Sequence, residues 1–454
     1  MGSDVDILVI GAGGCGLAAA IAGHDAGASV AVLEKQERPG GNSSLSTGSV
    51  PAAGSRFQRE AGIDDDPERM VRDLMGIAKE TDDLDLVRRL AGVSAETVEW
   101  LVDEVGARIA LVTAYKHIGH SVPRLHAPVS RRGQDLVDDL VSAVEKRDIP
   151  IAVGNNAVGL IVEDGAAQGA IVETGGTRSE IRAGKTILSV NGFAGNPELV
   201  RRFCPEIAGA EYFGARGSTG EAILWGEMIG ADFANMAAYQ GYAAVAYPQG
   251  SLLSWTTIEK GGFMIGDDGR RFGDESLGYS GYASIVLGRR GDTYAVFDQK
   301  IFDVAAGEEE FLELWKYAGL KRGETPEEIA QIVGLDGAAL ADEVAAYNRA
   351  AGGEADRFGR RDFGLGPLKG PFYICRVVPG LFHTQGGLKV DGDGRVLRPA
   401  GKPVPNLFAG GGAAAGISGR SGALGYASGN GLLSAIALGR LAALAAAREL
   451  RHPA

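Results

Sequence analysis

Residues 6–34 read DILVIGAGGCGLAAAIAGHDAGASVAVLE, and the reading of this stretch decides the fold. The apolar run Ile7-Leu8-Val9-Ile10 predicts a parallel strand buried on both faces, because no polar residue alternates with it. Gly11, Gly13 and Gly16 follow in G-x-G-x-x-G spacing, a helix is predicted over 17–28, and a second apolar run, 30–33, ends in Glu34. That order suits a dinucleotide. Gly11 permits a tight turn, Gly13 lets the backbone approach a pyrophosphate, and Gly16 lets helix and strand pack closely. The amides and positive dipole end of the helix N-terminus hold phosphate. Glu34, about 20 residues on, is placed to accept hydrogen bonds from a ribose.

Outward from this unit, residues 40–48 (GGNSSLSTG) are loop chemistry rich in small polar donors, a segment that a nicotinamide-binding unit does not need and two-nucleotide flavoproteins do. Amphipathic helices are predicted at 67–79, 84–105 and 134–146, then strands at 149–155, 157–163 and 169–173, and a buried strand at 185–190. From Tyr242 the texture changes to mixed aromatics, glycines and charges, with helices at 326–333 and 336–350. The expected organisation is a first domain of residues 1–241 and 371–454, interrupted by a smaller α+β domain at 242–370. The fold class is α/β, with a Rossmann-like domain of the glutathione-reductase-like type. A hairpin is expected over 388–396 and a long closing helix over 431–450.

The 454 residues carry 45 Lys+Arg against 58 Asp+Glu, a net charge of −13, which argues against nucleic acid or an anionic membrane as partner. Cys15, Cys204 and Cys375 lie far apart, so neither a disulfide framework nor a metal site is expected. The stretch 431–447 is broken by Arg440, so no membrane span is expected, and the protein is read as soluble and cytoplasmic.

Four segments carry a family resemblance: the opening unit with Gly40-Gly41-Asn42; Asn191-Gly192-Phe193; Gly269-Arg270-Arg271-Phe272 with Asp274-Glu275; and Phe382-His383-Thr384-Gln385-Gly386-Gly387 leading to Gly429-Asn430. In this order they resemble the flavoproteins that include fumarate reductases, succinate dehydrogenase flavoprotein subunits and 3-ketosteroid dehydrogenases. The resemblance implies FAD, contacted by Gly11, Gly13, Gly16, Glu34, Lys35, Gly41, Asn42, Ser43, Ser44 and Gly48. It adds Val158 near the adenine, then Asn191, Gly192, Gly411, Gly429, Asn430 and Leu433 towards the flavin. Two positions depart from the family: Gly412 stands where a glutamate is frequent, and Val190-Asn191-Gly192 where Thr-Gly-Gly is frequent. No histidine lies in 40–48, where respiratory members attach FAD covalently, so a non-covalent cofactor is expected.

In the fumarate reductases the resemblance implies two arginines and two histidines for a dicarboxylate. Counted along this chain, the arginine positions fall at Tyr279 and Tyr426, and one histidine position falls at Tyr242; His383 matches the other. A dicarboxylate would be left with little charge compensation, and an unpaired buried charge is costly, so fumarate is disfavoured. Tyr279 and Tyr426, with Ser428 as helper, are similar instead to the ketosteroid dehydrogenases that act on the Δ4 bond of 5α-steroids. By that resemblance one group polarises a ketone and a tyrosine removes the α-proton, while the β-hydrogen leaves as hydride to the flavin. Which tyrosine does which stays open, as does whether His383 touches substrate or only flavin. Tyr115 and Arg124 are further candidates for a substrate carboxylate, and Arg271 with Glu275 is read as a structural ion pair.

The expected activity is an FAD-dependent desaturation beside the carbonyl of a cyclic ketone, either a 3-ketosteroid or a cyclohexanone-type ring such as 4-oxocyclohexanecarboxylate. The expected acceptor is external: a quinone, a dye or oxygen. The alternatives are an ene or fumarate-type reductase of an unsaturated acid or enone, and a flavoprotein subunit that works only in a complex.

Overall fold

The computed structural model describes residues 3–113 and 117–452. It contains two compact units, the first formed by residues 1–208, 214–240 and 383–454, the second by 209–213 and 241–382.

The first unit is built on strand β1 (Val5–Ile10), helix α1 (Gly14–Asp25) and strand β2 (Val30–Glu34). β1 lies between β2 and the strand Thr177–Leu188, parallel to both, with Val9 opposite Val32 on one side and Ile187 on the other. The sheet runs from Arg395–Leu397 through Pro403–Ala409, Thr177–Leu188, β1 and β2 to Ile151–Val153. Alternate residues of β1 enter different cores, Ile7 and Val9 on one face and Leu8 and Ile10 on the other. A strand wedged between two cores has no use for polar alternation, which is why its sequence is a continuous apolar run.

α1 crosses the closing helix Asn430–Arg451 at near-backbone contact. A Cβ built on Gly439 would stand 2.2 Å from the Cys15 carbonyl oxygen. Alanine and glycine on both helices permit this approach. The closing helix corrects the expectation drawn from Arg440: it is long and apolar enough to cross a membrane by length and composition. However, 83% of that apolar stretch is buried inside the protein, and Arg440 pairs with Glu96. We therefore describe it as a core helix.

The second unit holds the antiparallel strands Phe263–Gly266, Thr293–Asp298 and the long Phe372–Thr384, with the paired helices Pro326–Val333 and Gly337–Ala351. Chain from 371 to 382 stays with this unit instead of returning to the first, because Thr293–Asp298 pairs along it from Phe372 to Val377. Arg271, Glu275, Asp356 and Arg360 form a buried ionic cluster here, with Arg271 2.7 Å from Glu275 and 2.6 Å from Asp356.

Candidate functional site

The turn after β1 explains its glycines individually. Gly11 has φ +104°, and a Cβ there would sit 2.4 Å from the Ser189 carbonyl oxygen; on Gly16 it would sit 1.8 Å from that of Gly11. Neither position admits any other residue without displacing backbone. Gly13 and Gly41 differ. A Cβ on Gly13 would meet only the Gly40 carbonyl oxygen at 3.6 Å, and on Gly41 (φ +55°) only the Gly13 Cα at 3.9 Å. Their missing side chains leave a slot between the turn and the following loop. The Gly13 N-cap of α1 makes no side-chain hydrogen bond to the helix, and the Ser43 hydroxyl accepts from Gly14 N–H at 3.1 Å. A glycine-lined slot at the N-terminus of a twelve-residue helix fits a pyrophosphate.

Glu34 is buried, and its carboxylate accepts from the Ala12 and Gln36 amides, each at 2.8 Å. A carboxylate offers about four acceptor positions, so lone pairs remain for ribose hydroxyls. The Asn155 amide donates to the Glu34 carbonyl, which sets the strand containing the half-buried Val158 beside β2. Lys35 is committed elsewhere: its ammonium pairs with Glu221 and donates to the Thr219 hydroxyl at 2.9 Å. Ser44 donates to the Gly41 carbonyl, Asn42 accepts from the Ala215 amide at 2.6 Å, and Gly48 (φ +68°) packs on Pro128.

Asn191 (φ +64°) donates to Ser218 at 2.7 Å, while Gly192 lies against Thr384 and Gly411 beside Cys15. Gly429 (φ +83°) starts the closing helix against Ser49 and Pro51, with Leu433 fully buried one turn on. Asn430 is 1% exposed and donates to the Ile417 carbonyl at 2.7 Å. Its Oδ1 is a buried acceptor with no partner among the described residues, so it has capacity for a ligand N–H.

Elsewhere in the first unit, the His383 and Tyr426 rings meet edge to face, with centroids 6.1 Å apart. Burial pushes the His383 imidazole down to about 4, so it is neutral at pH 7. Asp82, which no motif flagged, accepts from the Gly419 amide at 2.8 Å and from Asn235, and so holds the segment leading to Tyr426. Burial pushes its carboxyl up to about 6.

In the second unit, Tyr242 stacks on Phe382 at 5.3 Å, and Tyr279 lies 5.2 Å from Tyr242 and 6.4 Å from Trp255. Tyr279 is half-buried in this cluster.

Two substrate candidates are corrected. The Tyr242 hydroxyl donates to the Leu253 carbonyl at 2.9 Å and accepts from Trp255 N–H at 3.0 Å, so it has no proton to offer a substrate. Arg124 has no exposed side-chain surface; it bonds Asp65 through Nε at 2.7 Å and Nη2 at 2.8 Å, and Asp73 through Nη1 at 2.5 Å. Its charge is consumed internally. Tyr115 lies outside the described residues.

A dinucleotide turn on a sheet whose central strands are parallel, with a second unit inserted in the chain, is the architecture of a dinucleotide-binding protein. A family model described as an FAD binding domain matches residues 6–431, and the chain belongs to that family. Among curated proteins it is 30% identical over 449 residues to a probable fumarate reductase of Shewanella frigidimarina, covering 98% of this chain and 75% of that protein. Among solved structures it is similar to the open conformation of a flavocytochrome c3 fumarate reductase (TM-score 0.84, 28% identity, 98% and 79% of the two chains). It is also similar to a 3-ketosteroid-Δ4-(5α)-dehydrogenase from Rhodococcus jostii in complex with 4-androstene-3,17-dione (TM-score 0.77, 25% identity, 98% of each chain).

Proposed function

We propose that the protein is a dehydrogenase that introduces a Cα–Cβ double bond beside the carbonyl of a cyclic ketone, either a 3-ketosteroid or a cyclohexanone-type ring such as 4-oxocyclohexanecarboxylate. The observation that carries this reading is the lack of charge on the groups at the substrate positions. His383 is held neutral by burial, and Tyr279 and Tyr426 are phenols. The buried cations Arg271 and Arg360 are paired with Glu275 and Asp356. Such groups suit a neutral carbonyl better than two carboxylates.

FAD would be held non-covalently by the Gly11–Gly16 turn, Glu34, the Gly41–Gly48 loop and the start of the closing helix. When bound it supplies the acceptor for a hydride, and an external quinone, dye or oxygen would take the electrons on. By the family resemblance, one of Tyr279 and Tyr426 donates a hydrogen bond to the carbonyl oxygen and so acidifies the α-hydrogen. The other, once ionised to its phenolate by neighbouring donors, takes the proton at its oxygen and becomes a neutral phenol, with the Ser428 hydroxyl assisting. Residues 242–370 would form the substrate domain.

The second reading reverses the direction, giving a reductase of an enone or unsaturated acid. The likeness to the probable fumarate reductase of Shewanella frigidimarina favours it. Anaerobic bleaching of flavin absorbance by a 5α-3-ketosteroid, 4-oxocyclohexanecarboxylate, cyclohexanone and succinate separates the two. Bleaching by a ketone is the expected result, and the ketone that works sizes the pocket. Bleaching by succinate alone overturns the reading. So does silence from all four combined with re-oxidation of dithionite-reduced flavin by an enone or fumarate.

A further inference from the structure

The histidine- and arginine-rich stretch 117–132 has no part in the roles assigned so far, yet it is tied to the segment that carries Tyr426 and Ser428. The Ser428 amide donates to the Ile118 carbonyl at 3.0 Å. His120 Nε2 lies 2.8 Å from the Ser428 carbonyl oxygen, so both polar groups of one peptide residue are gripped by one loop. Between these bonds Gly119 adopts φ +83° and presses on Ala427; a Cβ there would stand 2.3 Å from the Ala427 Cβ. The loop is anchored from behind. Asp73 accepts from the Ser121 amide at 2.9 Å and is itself held by the buried Arg124, which also binds Asp65.

His120 is 7% exposed, and burial pushes its imidazole down to about 4 despite the nearby Asp73 and Asp65. The neutral ring can donate to a carbonyl only as the Nε2–H tautomer, which leaves Nδ1 bare. That Nδ1 is buried without a partner among the described residues. An unsatisfied buried acceptor costs stability that an apolar ring of similar volume would not, so packing alone is a poor reason for a histidine here. The bond to Ser428 is a sufficient one.

We propose that His120 is a positioning residue, whose Nε2–H clamps the Ser428 carbonyl and thereby fixes the Tyr426–Ser428 segment for chemistry. The clamp is a statement about this loop, and its effect on catalysis rests on the reading of Tyr426 and Ser428 given above.

The test compares FAD-loaded wild type with His120→Phe, His120→Gln and Tyr426→Phe. Glutamine places its side-chain amide near Nε2 and keeps a donor; phenylalanine keeps the bulk and loses it. The readouts are hydrogen exchange of the segment 423–429, which contains the Ser428 amide, and kcat and KM with whichever compound of the panel turns over. Loss of one buried hydrogen bond predicts roughly tenfold faster exchange and roughly tenfold lower kcat in His120→Phe, with KM and FAD content little changed. Rescue of both by His120→Gln is expected. Wild-type exchange in His120→Phe overturns the clamp, and equal impairment of the two His120 variants reduces the residue to packing. If the exchange signature and its rescue are present but Tyr426→Phe turns over normally, the clamp stands and the catalytic reading of Tyr426 falls.

Discussion

Burial holds His383 near 4, and two phenols stand at positions where the family resemblance to fumarate reductases would place arginines. The expected outcome of Tyr426→Phe or Tyr279→Phe is retention of FAD with flavin reduction slowed by roughly 10²–10⁴-fold, the range for a lost proton-transfer group. Stopped-flow absorbance at saturating substrate measures it, and near-normal rates in both variants would remove the tyrosine pair from the mechanism. The residue scale is also where the sequence was least informative. Glu34 and the glycines declare themselves through order and spacing. Arg124 and Tyr242 do not, because what engages them is invisible in a linear reading. Asp65 and Asp73 lie 59 and 51 residues from Arg124. The groups on the Tyr242 hydroxyl are backbone atoms of Leu253 and Trp255. A lone arginine or tyrosine therefore reads as available until its neighbours are known.

Among the elements, legibility followed apolar pattern. The helix Pro326–Val333 has the bounds its sequence predicts, and the closing helix differs by one residue at each end. The strand expected at 185–190 instead begins at Thr177, because its first residues, Thr177–Glu180, are exposed and polar and have no apolar signature. The predicted helix over 84–105 finishes in a wider π-type turn, Leu101–Val105. The close crossing of α1 and the closing helix had no sequence signal beyond small residues. It supports a sharp prediction. Gly439→Val should force the Cys15 turn of α1 away, cost about 1–3 kcal/mol by overpacking, and weaken FAD retention, since the displaced turn is the one that holds Gly13 and Gly16. Urea midpoints and flavin content after gel filtration check this; an unchanged midpoint would mean that the crossing relaxes without strain.

For the molecule as a whole, the buried histidines fix how stability depends on pH. Desolvation lowers His117 to about 3, with Arg131 beside it, and His120, His126 and His383 to about 4 each. All four lie in the first unit. The unfolded chain protonates them near 6.5 while the folded chain does not, so stability present above about 6.5 is lost as pH falls towards 4. At pH 5 each buried histidine accounts for roughly 2 kcal/mol of that loss. Asp82, raised to about 6, works in the opposite sense, since its stabilising protonation grows as pH falls. In the first unit the four histidines outweigh Asp82 and leave a net loss, so denaturant midpoints for its unfolding should drop steeply between pH 7 and 5. A flat profile would show that the imidazoles are solvated. In the second unit, burial raises Glu259 to about 7, so its contribution declines as pH rises through that value.

The crossing of α1 with the closing helix also has a meaning in time. The Gly439 that Cys15 rests on leaves the ribosome 424 residues after it, a wait of roughly 20–80 s at ordinary elongation speeds. Through that interval the alanine-rich helix behind the strand Val5–Ile10 lacks the closing helix as cover. The nucleotide-holding turn is thus made long before the helix that completes it, and the order of synthesis itself leaves apolar surface waiting for cover.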